Sequence, residues 1–243
     1  MATTCQISTA LAEESGGKFV EMLRRPYLRA TAFVIALGFF IQITGVNAIV
    51  YYSTRLFDAM GFRGNFALLV RPAMVQAAAL VAVVLVDRLG RRPVLLSGIG
   101  TMITADALLI VVFAARLAAI FGFIGVLLFT MGFTFGFGAL VWVYAGESFP
   151  SRLRSMGSSA MLTANLLANA MVAGLFLTLL HSLGGAGTFA VFGVFAVGGF
   201  AFVHRFAPET KGRQLEEIRH FWEINGRWPD ELPSATTDVQ ACR

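Results

Sequence analysis

Six apolar stretches dominate the chain, at about residues 30–52, 66–86, 94–115, 118–146, 156–180 and 187–206, and the connections between them are short. About 20 consecutive apolar residues suffice for a helix to cross a bilayer, so each stretch is long enough. The pattern predicts an all-α membrane protein with six transmembrane helices. The fourth stretch is the longest and carries "MGFTFGFG", residues 131–138, near its middle. Glycines there loosen the helix and predict a bend.

Polar residues interrupt this pattern at few places. In the first stretch, "FIQITGVNAIVYYS" (residues 40–53) holds Gln42, Thr44 and Asn47. On an unbroken helix Gln42 and Asn47 lie about 140° apart and cannot face one ligand. Gly45 stands between them, where a break would turn both inward. Asn165 and Asn169, in the fifth stretch, share one face a turn apart. An amide offers donors and an acceptor, which suits a hydroxyl that gives and takes hydrogen bonds. It serves equally as contact between helices, worth roughly 0.6–2 kcal/mol. Both readings stand for Asn165 and Asn169, while Gln76 in the second stretch reads as helix contact. Tyr51 and Tyr52 fit an interfacial aromatic belt better than an outer gate. Asp106, near the middle of the third stretch, is a functional candidate by position, with no role that the pattern supplies.

Composition narrows the class. The 243 residues are 57% hydrophobic and 14% charged, with a mean hydropathy of +0.73; soluble domains carry about 25% charged residues. A soluble enzyme is excluded. Cys5 and Cys242 sit at opposite ends and form neither a disulfide framework nor a metal site. No nucleophile with a base and no metal cluster is visible, so neither covalent chemistry nor a cofactor is expected. The N-terminus is polar and lacks the apolar core of a cleaved signal peptide.

The net charge of +5 comes from basic clusters between apolar runs, which suits membrane topology and not nucleic acid. All of the 19 basic residues except Arg55, Arg63, Arg71 and Arg116 fall in the tails or in the loops after the second and fourth stretches. That asymmetry places both termini in the cytoplasm. The chain then divides into a cytoplasmic tail (1–29), a six-helix membrane domain (30–207) and a cytoplasmic C-terminal tail (208–243). In the last, Leu215, Ile218, Phe221 and Trp222 mark a short amphipathic helix, packed on the bundle or lying on the membrane.

Three charged motifs lie on the cytoplasmic side: "DRLGRR" (Asp87–Arg92), "GESFPSRLRS" (Gly146–Ser155) and "PETKG" (Pro208–Gly212). With "LRRPYLR" before the first span and the opening stretch, in this order and spacing, the chain resembles the sugar porter family of the major facilitator superfamily. The resemblance covers about residues 19–222 and matches the second half of such a transporter, spans seven to twelve.

The resemblance implies a fold of two six-helix halves with a sugar or polyol bound between them near the midplane. Rocking of the halves then exposes the solute to each side in turn. The partners are a sugar, in some members a proton, the lipid bilayer, and a missing first half or a second copy; the plasma membrane is the expected location. Asp87, Arg91, Glu147, Arg154 and Glu209 would form the inner latch, a charge network able to bias two states a few kcal/mol apart. For Arg88 and Arg92 solvated topology signals are preferred. Gln42, Asn47, Trp142 and Asn165 fall at positions the family uses to bind sugar, and Asn169, one turn beyond Asn165 on the same face, joins them as a binding candidate. Departures are Ile41 for the family's first Gln, Val75 with Gln76 beside it for an Asn, and no proline before Trp142. The Gln lost at Ile41 and the lost prolines favour an alternative, a transport-inactive membrane sensor or interaction protein, while the retained latch residues, Trp142 and Asn165 favour the carrier; the short start before Arg24 suggests a truncated gene product.

Overall fold

The computed structural model describes residues 19–24, 27–51, 86 and 88–211, with the backbone alone at Phe19, Val20, Ala139, Ser151 and Arg152. The predicted second span with Val75 and Gln76, together with Tyr52, Asp87 and the amphipathic tail segment, lies outside the described residues. Among the described residues the main helices are, in order, α1 (Phe19–Met22), α2 (Leu28–Ile43), α3 (Arg91–Ala115), α4 (Ala119–Phe133), α5 (Ala139–Glu147) and α6 (Ser151–Phe206). A wide π-helical turn, Thr134–Gly138, joins α4 to α5 in one continuous run. This is the predicted bend, taken up as extra winding at the glycine cluster.

Among the described residues four helical stretches are long and apolar enough to cross a membrane: Leu28–Tyr51, Arg91–Ala115, Ala119–Glu147 and Leu153–Phe206. The last, at 54 residues, would reach about 80 Å if straight, far beyond a bilayer core of about 30 Å. It is broken at Gly184, whose φ of 68° and ψ of 179° are non-helical. Two limbs result, the predicted fifth and sixth spans. The sequence suggests a connection over residues 181–186; the structure narrows it to one glycine. No side chain competes for that space, since nothing lies within 4 Å of where a Cβ would stand.

α2 packs on α6, and α3 packs on both α4 and α6. Phenylalanine fills the centre: Phe129, Phe137, Phe149, Phe176 and Phe189 are fully buried beside Tyr144. Phe33 meets Tyr144 edge-on at 5.9 Å and stacks on Phe202, and Phe113 stacks on Phe189 at 5.7 Å. Lipid is as apolar as these rings, so close packing holds the helices together within the membrane. Where α3 meets the wide turn, the two backbones approach over glycine. Gly98 of α3 lies against the Cα of Gly136, and Gly132 lies against the Gly98 carbonyl. Leu166, Leu167, Met171, Leu175, Val194 and Val197 face outward, as apolar residues do when the surroundings are lipid or another helix.

Candidate functional site

The first feature is built by Gly45. α2 ends at Ile43, Gly45 adopts φ 90°, and helix resumes over residues 46–51. Glycine is required twice over: the angle is left-handed, and a Cβ would stand 2.6 Å from the Phe192 ring. The break rotates the following turn, so Asn47 swings onto the side of Gln42. Its Nδ2 donates to Gln42 Oε1 at 2.8 Å and to Asn169 Oδ1 at 3.0 Å. Gln42 Nε2 donates to Asn165 Oδ1 at 3.1 Å, and Asn169 Nδ2 donates to the Tyr51 hydroxyl at 3.4 Å. One chain of neutral amides thus runs Asn165–Gln42–Asn47–Asn169–Tyr51 across α2 and the first limb of α6. Asn165 is buried, yet its Nδ2 has no partner among the described residues.

The sequence places Gln42, Asn47, Asn165 and Asn169 as candidates, and the structure brings all four together. Trp142 is not among their hydrogen-bond partners; it lies on α5, 45% exposed. Ile41, where the family has a Gln, is buried in the apolar core and turned to packing. Among the described residues the Thr44 hydroxyl bonds only back to the Ile41 carbonyl, at 3.2 Å. Tyr51 joins the amides through its hydroxyl, a link hidden in the sequence because an interfacial tyrosine fits the same pattern.

The second feature lies at the predicted cytoplasmic ends of α3, α5 and α6. Arg91 grips Glu147 through both guanidinium nitrogens at 2.8 Å, a two-pronged pair. The same Arg91 Nη1 donates to the Thr210 hydroxyl at 2.9 Å and to its carbonyl at 3.2 Å. Glu209 plays a different part from the expected side-chain ion pair. Its carboxylate accepts the backbone N–H groups of Arg91 and Arg92, each at 3.1 Å, and of Lys211 at 2.9 Å. It caps the start of α3, because the local cap position is Gly90 (φ 97°) and brings no side chain. A Cβ on Gly90 would stand 2.9 Å from a Glu209 oxygen, so glycine admits the cap.

Arg154 lies within electrostatic reach of Glu147, but its Nε has no hydrogen-bond partner among the described residues. Arg91, and not Arg154, makes the direct pair. Arg92 is not merely solvated, since its guanidinium donates to the His204 carbonyl at 2.7 Å. Tyr144 donates to the Pro208 carbonyl at 3.0 Å, and Lys211 Nζ to the Arg88 carbonyl at 2.7 Å. Residues 208–211 of the "PETKG" segment are therefore held by α3, by α5 and by the Arg88 carbonyl. Thr210 and Tyr144 carry no sequence signal for these contacts.

Comparison with known proteins identifies the family. The family described as "Sugar (and other) transporter" matches residues 3–222. Similar proteins include Sugar transport protein 1 of Arabidopsis thaliana, 33% identical over 226 residues that make up 85% of this chain and 42% of the relative. Polyol transporter 5 of the same plant is 32% identical over 88% of this chain and 42% of its own length. Facilitated trehalose transporter Tret1 of Bombyx mori is 31% identical over 87% and 44%. Among solved structures, the inward-open xylose transporter XylE from E. coli has a TM-score of 0.74 over 91% of this chain and 46% of that one, at 22% identity. The proton:xylose symporter XylE bound to 6-bromo-6-deoxy-D-glucose has a TM-score of 0.73 at 25% identity, over 79% and 42%. The chain spans somewhat under half the length of these relatives, which are transporters and not enzymes. The fold is that of the major facilitator transporters, and the chain, a multi-pass integral membrane protein, belongs to the sugar (and other) transporter family.

Proposed function

We propose that this chain forms one half of a carrier that moves a monosaccharide or polyol across a membrane by alternating access. It corresponds to spans seven to twelve of a longer transporter, with both termini cytoplasmic and the plasma membrane as its location. Its partner is a first half or a second copy, and a proton is proposed as co-transported ion. The observation that carries the reading is the amide chain with an unspent donor. Gln42, Asn47, Asn165 and Asn169 are neutral and linked, and the buried Asn165 Nδ2 still wants an acceptor. A sugar hydroxyl supplies one and costs no charge burial. Trp142 offers an exposed ring for the apolar face of the sugar. Arg91, Glu147, Glu209 and Arg154, together with Asp87 of the "DRLGRR" motif, act as the inner latch that opens and closes with each cycle.

The test is binding and uptake. Chain in vesicles, supplied with a first half from a family member, should take up labelled hexose, pentose or polyol. Asn47→Ala and Asn165→Ala should weaken affinity while expression holds. Lower expression with unchanged affinity would assign these amides to helix contact alone. Absence of uptake for all three solute classes, with correct insertion, would favour the sensor reading instead.

A further inference from the structure

Asp106 takes no part in the amide chain or the latch. It sits near the middle of α3, 1% exposed, and neither carboxyl oxygen has a hydrogen-bond partner among the described residues. It faces Gly193 on the second limb of α6: a Cβ there would stand 3.5 Å from Asp106 Cβ and 3.9 Å from Oδ2. The small residue opposite lets the two helices close over the carboxyl.

No counter-charge approaches from the described elements packed against it. α4 and the wide turn contain no titratable residue. On the second limb of α6 the basic residues are His204 and Arg205, in the last turn, about 16 Å along the helix from Gly193. On the first limb, His181 is exposed at the far end and Arg152 and Arg154 lie at the start. On α3 itself, Arg91 and Arg92 stand at the N-terminus, where they hold Glu147, Thr210 and the His204 carbonyl, and Arg116, exposed, caps the other end, about 15 Å along the helix from Asp106. A bare carboxylate so enclosed costs several kcal/mol, and a bound proton removes that cost.

We propose that Asp106 is a proton-binding site, which holds its proton while α3 and the second limb of α6 are packed together and releases it when that contact opens to water. The ligand is a proton, and the site needs no solute, so it stands or falls apart from the sugar reading.

The full chain in lipid nanodiscs tests this by infrared spectroscopy. At neutral pH the C=O band of a protonated carboxylic acid should be present, should shift on aspartate-specific carbon-13 labelling, and should vanish in Asp106→Asn. If that substitution prevents folding, the label shift in the unsubstituted chain reads the same proton. As alkali titrates the band away, amide hydrogen exchange around Asp106 should rise several-fold, and Asp106→Asn should show no such rise. An acid band that is absent at neutral pH would overturn the site, since the carboxylate would then be ionised against a counter-charge such as Arg71 of the predicted second span. A band that titrates with no change in exchange would overturn the coupling to helix packing.

Discussion

Asn47 is the branch point of the amide chain, since one Nδ2 serves both Gln42 Oε1 and Asn169 Oδ1. Truncation to alanine strands two acceptors at once. We expect Asn47→Ala to lower stability by about 1–2 kcal/mol, read as a lower unfolding temperature in detergent. Thr44→Val is the contrast. Thr44 is fully buried, but among the described residues its hydroxyl bonds only to its own helix, so its loss should cost less than about 1 kcal/mol. The sequence makes the two amides visible because polar groups stand out in an apolar run, and makes their convergence visible because glycine lies between them. Tyr51 is invisible as a partner: its hydroxyl could as well meet water at the membrane edge, and only three-dimensional proximity to Asn169 decides.

The elements differ in how much local sequence determines them. Helix positions follow directly from apolar length, and the glycine cluster signals irregular winding before any fold is known. What it cannot signal is which helix fills the gap. That helix is α3, through Gly98 against Gly136. Both neighbours are backbone and cannot swing aside, so Gly98→Ala should separate α3 from the wide turn and destabilise the chain by about 1–3 kcal/mol. Gly100→Ala has nothing within 4 Å of the new methyl and gains helix propensity, so it should be neutral or stabilising by up to about 1 kcal/mol. Comparative thermal unfolding of the two separates crowding from propensity. The start of α3 carries a similar lesson. Its cap, Glu209, is 118 residues away in sequence from Arg91, beyond any local capping rule. Glu209→Ala should cost about 1–2 kcal/mol and raise hydrogen exchange at the Arg91 and Arg92 amides, while Glu209→Gln should cost less.

For the whole molecule, an even number of spans would return the chain to its starting side. Cys5 and Cys242, the two cysteines, then report on one face. In sealed, inside-out vesicles a membrane-impermeant maleimide should label both, and in right-side-out vesicles neither. Labelling of one alone would mean an odd number of crossings. The basic clusters point to the same sidedness, yet charge statistics cannot show that Arg91, Glu147 and the "PETKG" segment converge; that depends on how α3, α5 and α6 end together.

The amide chain has one more consequence. Every group in it, from Asn165 to Tyr51, is uncharged. A membrane potential does work of about 2.3 kcal/mol per elementary charge per 100 mV, and on this wall it finds nothing to act upon. On the proposed reading, a neutral solute held by these residues binds with an affinity unaffected by voltage. On the same reading, electrical sensitivity enters transport through a charge that moves in the field, or is gained or lost, away from these amides.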